Sequence, residues 1–235
     1  MEGVLSTGYS AIDANHGGLL LGEINLLLCS APYAKTAFLA GIVSQTLNDG
    51  GSVFYIDLDS LFTIYLRHGV YEMPRSENLS LFNPNVLEID ETIAKICSVN
   101  HSDLNLIVLD SVNTFYHQFD RDSPFSGLNR YLSVCLSLLK DLSRRVGAAV
   151  VVCSLPVARR EASQGRYSWV LSHPGGRVLK FKSELMMNID GAGRDLVVDV
   201  LKSPGKKGNG VKLRLPYGEL LESKQREAEP NRHRK

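Results

Sequence analysis

The chain has 235 residues, 44% apolar and 22% charged, and its 26 basic and 25 acidic side chains leave a formal net charge of +1. That length suits one α/β-sized domain with a substantial core, and the near-neutral balance excludes a global attraction to nucleic acid, so such affinity must come from local clusters. Cys29, Cys97, Cys135 and Cys153 lack any C-x-x-C spacing, which excludes a zinc site or disulfide framework, and without a signal peptide or an apolar run near about 18 residues the chain is expected to be soluble and intracellular.

In chain order, the first apolar run is Ile24, Leu26, Leu27 and Leu28, a buried strand. It leads into Cys29-Ser30-Ala31-Pro32-Tyr33-Ala34-Lys35-Thr36 and a helix predicted from Lys35 to about Leu47. Strand, tight loop and Lys-Thr opening a helix is the context of the phosphate-binding motif G-x-x-x-x-G-K-[ST]. Cys29 and Ala34 stand where its two glycines belong. Val53 to Ile56 follows the turn Asn48-Asp49-Gly50-Gly51 as a second strand, and Leu104 to Leu109 is a third that ends on Asp110. Leu128, Tyr131, Leu132, Cys135, Leu139, Leu142 and Val146 fall at helical spacing, with Gly147 as the C′ residue. Ala148 to Val152 is a fourth strand.

Apolar strands separated by helices predict an α/β fold, a mostly parallel sheet covered on both faces. Three further strands, Leu185 to Ile189, Leu196 to Leu201 and Val211 to Leu215, predict a C-terminal antiparallel, hairpin-like extension. Residues 1–222 form the predicted domain. Ser223 to Lys235, charged and containing Pro230, is expected to be a disordered tail.

Ligands of such sheets bind beyond the carboxyl ends of the strands. The residues there are the loop from Cys29 to Thr36, the Asp57-Leu58-Asp59 turn and Asp110-Ser111. In a working site, loop N–H groups wrap phosphates, the lysine reaches the outer two, and the Ser/Thr hydroxyl holds magnesium. A strand-end Asp orients that ion and a second carboxylate positions the attacking water. Lys35, Thr36, Asp110 and Asp59 fill those four roles, which makes Thr36 and Asp110 the candidate magnesium ligands and Asp59 the candidate catalytic carboxylate. Read singly, Lys35 and Thr36 are helix-opening residues and Asp110 is a turn residue.

The ordered set resembles the RecA/RadA recombinase family over nearly the whole chain. Ser6-Thr7-Gly8-Tyr9-Ser10-Ala11-Ile12-Asp13, Gly17-Gly18 and Gly22-Glu23 are similar to that family's opening segment. Tyr55 to Asp59 is similar to its catalytic-carboxylate strand, and Leu106 to Ser111 to its Walker B strand. Leu138 to Val157 is similar to the stretch that leads into its second DNA-binding loop, while Pro174-Gly175-Gly176 and Lys202-Ser203-Pro204 resemble later landmarks. The resemblance implies a RecA-like P-loop NTPase core, with ATP and magnesium as cofactors. It further implies a core-only paralog without the family's N-terminal domain, in the manner of archaeal RadB or the eukaryotic recombinase paralogs. Its location would be nuclear in a eukaryote and cytoplasmic, with the nucleoid, in an archaeon.

Several positions depart from the family pattern. Pro32 replaces a third glycine and lacks an N–H. If φ > 0 were needed at Ala34, the left-handed backbone would cost roughly 1–2 kcal/mol. Tyr33 adds bulk, Asp59 stands for a Glu, and Ser154-Leu155 replaces the Asn-Gln that senses the γ-phosphate. Weak or absent ATP hydrolysis follows.

Between Val157 and Lys182 lie Arg159, Arg160, Arg166, Arg177, Lys180 and Lys182 against a single acid, Glu161, with Tyr167 and Trp169 among them. Cations that neutralise phosphates and aromatics that stack on bases make Arg159, Arg160, Arg166, Tyr167, Trp169 and Arg177 candidates for single-stranded DNA contact. The other reading is a solvated loop whose Trp packs on a partner protein. Lys202, Lys206, Lys207, Lys212 and Arg214 form a second basic group, and Gln118 to Gly127 corresponds to the first DNA loop.

Three functions are expected from these readings. The first is a recombinase paralog in homologous-recombination repair that binds a recombinase or another paralog as a hetero-oligomer. The others are an active DNA-dependent ATPase and a structural repair subunit without DNA contact.

Overall fold

Alternation inside the apolar runs sends odd and even side chains to opposite faces of one sheet, because successive strand residues point opposite ways. The computed structural model describes residues 3–98, 103–118, 125–163, 166–192, 195–204 and 213–216. Its first half runs β1 (Val4–Leu5), α1 (Ser10–His16), β2 (Leu19–Leu20), β3 (Ile24–Cys29), α2 (Pro32–Asn48), β4 (Ser52–Asp57), α3 (Leu61–Arg67), β5 (Leu79–Phe82) and α4 (Ile89–Ser98). Then come β6 (Leu104–Asp110), α5 (Val112–Gln118), α6 (Phe125–Val146), β7 (Ala149–Ser154), β8 (Val157–Ser163) and β9 (Arg166–Ser172). The described chain closes with α7 (Gly176–Lys182), β10 (Ser183–Ala192), β11 (Asp195–Lys202) and β12 (Leu213–Pro216).

Eight strands form the main sheet in the order β12-β11-β10-β3-β7-β6-β4-β5. From β10 to β5 every pair is parallel; β10, β11 and β12 pair antiparallel. The C-terminal extension is antiparallel as expected: its first strand, β10, also continues the parallel sheet beside β3, and β11 runs against both β10 and β12. Leu27, Tyr55, Val108 and Val151 join the core under α2 and α3, while Leu26, Leu28, Ile107 and Val150 join the core under α4, α6 and α7. Both faces are covered, which is why the central strands read as unbroken apolar runs. The edge strand β5, half-buried along its four residues, lacks such a run and escapes a sequence reading.

The opening segment is tied together by Asp13, whose carboxylate accepts from the Thr7 N–H (2.9 Å), the Thr7 hydroxyl (2.8 Å) and the Ser6 hydroxyl (2.7 Å). Gly18 follows at φ +105°, where a Cβ would run into the Leu5 carbonyl, so glycine is required there. The predicted helix before Gly147 is α6, and Gly147 has φ +74°. Where the family resemblance implied a loop, β8 and β9 form an antiparallel hairpin that pairs Arg160 with Trp169 and Ala162 with Tyr167. The tail from 217 on, residues 205–212 of the second basic group and 119–124 of the first loop lie outside the described residues. Among the described residues no helix is long and apolar enough to cross a membrane.

Candidate functional site

Parallel register brings the strand-end acids together. Asp57 at the end of β4 pairs in register with Asp110 at the end of β6, and carboxylate oxygens of Asp57, Asp59 and Asp110 lie within 4.8 Å of one another. Lys35, fully buried in the first turns of α2, reaches into this group. Its Nζ lies 2.5 Å from Asp59 Oδ2 and 2.6 Å from Asp110 Oδ1. The Tyr55 hydroxyl donates to Asp110 Oδ2 at 2.6 Å. Three of the four sequence-predicted polar residues, Lys35, Asp59 and Asp110, thus meet, but in a different relation from the one expected. The lysine faces its own carboxylates.

The loop preceding Lys35 has a matching geometry. α2 begins at Pro32 rather than Lys35, with Ala31 extended at φ −148° as its cap. Proline suits the first helical position because the missing N–H has no intrahelical partner there. Tyr33 and Ala34 are consequently helical, and no residue from Cys29 to Thr36 has a positive φ. The strain that φ > 0 would impose at Ala34 does not arise, because Ala34 is helical. The Thr36 hydroxyl donates back to the carbonyls of Pro32 (3.1 Å) and Tyr33 (3.2 Å), and the Tyr71 hydroxyl reaches it at 3.4 Å. The Tyr33 ring lies over Gly191 of β10, where a Cβ would overlap its hydroxyl, and the Ser30 N–H donates to the Ile189 carbonyl at 2.9 Å. In this arrangement Cys29 to Thr36 does not fit a triphosphate with its magnesium. Pro32 offers no N–H, the lysine is paired, and the hydroxyl expected to hold the metal faces the helix backbone.

Both Asp59 and Asp57 also cap α3. Asp59 Oδ1 accepts from the Leu61 N–H at 3.1 Å, while Asp57 Oδ2 accepts from the N–H and hydroxyl of Thr63 at 2.8 and 2.7 Å. Asn83 closes the network, donating to the Asp57 carbonyl at 3.1 Å and to the Thr63 hydroxyl at 3.0 Å. Tyr55, Thr63, Tyr71 and Asn83 were not identified from sequence. Only Tyr55 left a signal, as a polar-tipped residue two positions before Asp57 on the same strand face.

Burial pushes the Asp110 carboxyl up to about 6, more than the Lys35 ammonium beside it pulls it down. Asp57 is raised as well, first by burial and then by its carboxylate neighbour Asp59. Lys35 is held above its ordinary range because Asp110 and Asp59 together outweigh its own burial. For Asp110 the folded state binds more protons than the unfolded state between about pH 4 and 6, so stability falls as pH rises through that window. Urea denaturation at pH 5 and pH 7 should show greater stability at pH 5, and Asp110→Asn should shrink the difference.

The proposed DNA residues lie apart from this cluster in sequence and element. Arg159, Arg160, Arg166, Tyr167 and Trp169 belong to the β8–β9 hairpin, their side chains being outside the described atoms, and Arg177 is exposed on α7. At the hairpin's base Asn113 of α5 donates from Nδ2 to the Leu155 carbonyl and accepts at Oδ1 from the Leu155 N–H, both at 2.7 Å. His173 Nδ1 lies 3.2 Å from the Ser154 hydroxyl. Ser154-Leu155, read from sequence as the replacement of a γ-phosphate-sensing Asn-Gln pair, is thus held by side chains of the chain itself.

No protein-family model matches the chain. It is 25% identical to the RecA protein of Nautilia profundicola over 210 residues, which cover 85% of this chain and 55% of that protein. It is likewise 25% identical to RecA of Aquifex aeolicus over 228 residues, covering 92% of this chain and 61% of that protein. A crystal structure of the RadB recombinase superposes with a TM-score of 0.67 at 18% identity, over 90% of this chain and 94% of that one. The chain is similar to the RecA proteins in sequence and to the RadB recombinase in fold. Its mixed sheet, mostly parallel with antiparallel C-terminal strands and helices on both faces, is a RecA-like core. This RecA-like chain spans 55–61% of the length of those two RecA proteins.

Proposed function

We propose that this RecA-like chain is an auxiliary recombinase paralog, acting in recombination and repair by binding a recombinase or another paralog and single-stranded DNA, with little or no ATP hydrolysis. The observation that carries the reading is the state of Lys35. In a phosphoryl-transfer site a lysine must be free to neutralise phosphate charge, whereas here Asp59 and Asp110 hold it at 2.5 and 2.6 Å in a buried network. The helical turn at Pro32 and the inward Thr36 hydroxyl support the same conclusion. Subunits of the resembled family stack around the nucleotide site, so a core with a closed site can still supply one side of such an interface. DNA contact is assigned to Arg159, Arg160, Arg166, Tyr167, Trp169 and Arg177, through phosphate neutralisation and base stacking.

Calorimetric titration with ATP and magnesium tests the nucleotide half of this reading. The chain alone should give no binding heat, and a recombinase-family partner should co-elute with it on size exclusion. Hydrolysis that single-stranded DNA stimulates and that Lys35→Ala abolishes would establish an active ATPase instead. Failure to associate with any recombinase-family partner would remove the auxiliary role.

A further inference from the structure

We propose that the groove between the β8–β9 hairpin and α7 is a docking site for an acidic segment of a partner protein that carries one apolar anchor. The inference rests on the partner-binding reading above and names the chemistry of the segment that is bound. Leu26 and Leu28 of β3 and Leu179 of α7 line the groove, Leu171 is part of its lining, and the cavity measures about 530 Å³. That volume falls within the range of formed binding pockets and accommodates a large aliphatic or aromatic side chain. Leu171 is 71% exposed where it borders the cavity, so its side chain is available to an occupant.

Charge selects the occupant. Arg177 and Lys180 are exposed on the groove's lining, and no acidic side chain lines it. Among the described residues neither cation makes an ion pair. Unpaired cations around an apolar depression complement carboxylates flanking a hydrophobic anchor, which steers association and fixes register. A nucleic-acid strand would use the same cations, but bases stack on planar side chains, and the lining offers one ring, His173, against four leucines, Leu26, Leu28, Leu171 and Leu179, which suit an apolar side-chain anchor.

The groove is also preformed. Asn113 fixes both backbone groups of Leu155 on one side of the hairpin, and His173 meets Ser154 on the other. Val157 pairs with Ser172 immediately above these clamps. A site whose walls are already fixed loses less freedom when it is filled.

The test pans a display library of random dodecapeptides against the full chain and measures the selected peptides, synthesised with a fluorophore, by anisotropy. Net-acidic peptides with one Leu, Ile, Met or Phe anchor should be enriched. Leu171→Asp and Lys180→Glu, both exposed positions, should each weaken binding at least tenfold, and affinity should fall as salt rises. Melting curves of the two variants establish that they remain folded. Enrichment of peptides without this chemistry, or binding that both variants leave unchanged, overturns the proposal. So does a 15-mer of oligo-dT that binds and is weakened by the same substitutions while no acidic peptide binds. If recombinase association persists while the groove fails these tests, only the groove assignment falls; if no recombinase-family partner associates at all, the broader reading falls with it.

Discussion

Lys35→Ala is expected to lower the unfolding free energy by about 3–5 kcal/mol at pH 7, the usual cost of removing one partner from a buried ion pair. The loss arises because Asp110, fully buried, would keep only the Tyr55 hydroxyl as a partner and would carry its charge without a counter-ion. Chemical denaturation at fixed pH measures it. The deficit should shrink on acidification, since Asp110 is already raised to about 6 and takes up a proton more readily once the ammonium is gone. Lys35→Met with Asp110→Asn should recover much of the loss by replacing both charges together. An unchanged stability in Lys35→Ala would mean that the lysine is not a structural member of the core, and the case for a closed site would go with it.

Asn113→Ala is expected to cost about 2–4 kcal/mol, because it leaves two part-buried backbone groups of Leu155 without partners, each in the lower part of the roughly 1–3 kcal/mol that a fully buried group costs. Leu155 also packs partly buried against the core that α2 covers, so water cannot simply replace the side chain. The effect should be local as well as global. Hydrogen exchange of the described amides from 157 to 172 should quicken in the variant, and in the wild type it should not respond to ATP and magnesium. Protection that appears only with nucleotide would show that 154–155 still senses a ligand. Leu155 would then be a hinge and no longer a fixed point.

Much of the architecture was legible before any coordinates. The central strands announced themselves as apolar runs because both sheet faces are covered, and α6 did so because one side of it packs while the other meets solvent. β5 was silent: four half-buried residues at a sheet edge impose no pattern. The β8–β9 hairpin was hidden for a related reason, since a ribbon set off from the main sheet has little apolar alternation to enforce. β10 was found as a strand, but its parallel pairing with β3 depends on a partner some 160 residues away in sequence, which local pattern does not encode.

The cluster at the strand ends divides along the same line. By itself the sequence determined that Lys35, Thr36, Asp59 and Asp110 occur in the order of a RecA-like core, and that Pro32 removes one phosphate-facing N–H. Those are statements about residue identity and chain order, which local chemistry fixes. Only the tertiary structure decided that Lys35 lies against Asp59 and Asp110, that Thr36 turns back onto its own helix, and that Tyr55 and Asn113 are partners at all. Each of those depends on distances between residues far apart in the chain. A buried charge must find an opposite charge or a hydrogen bond wherever the fold brings one near, and which one it finds is settled by packing.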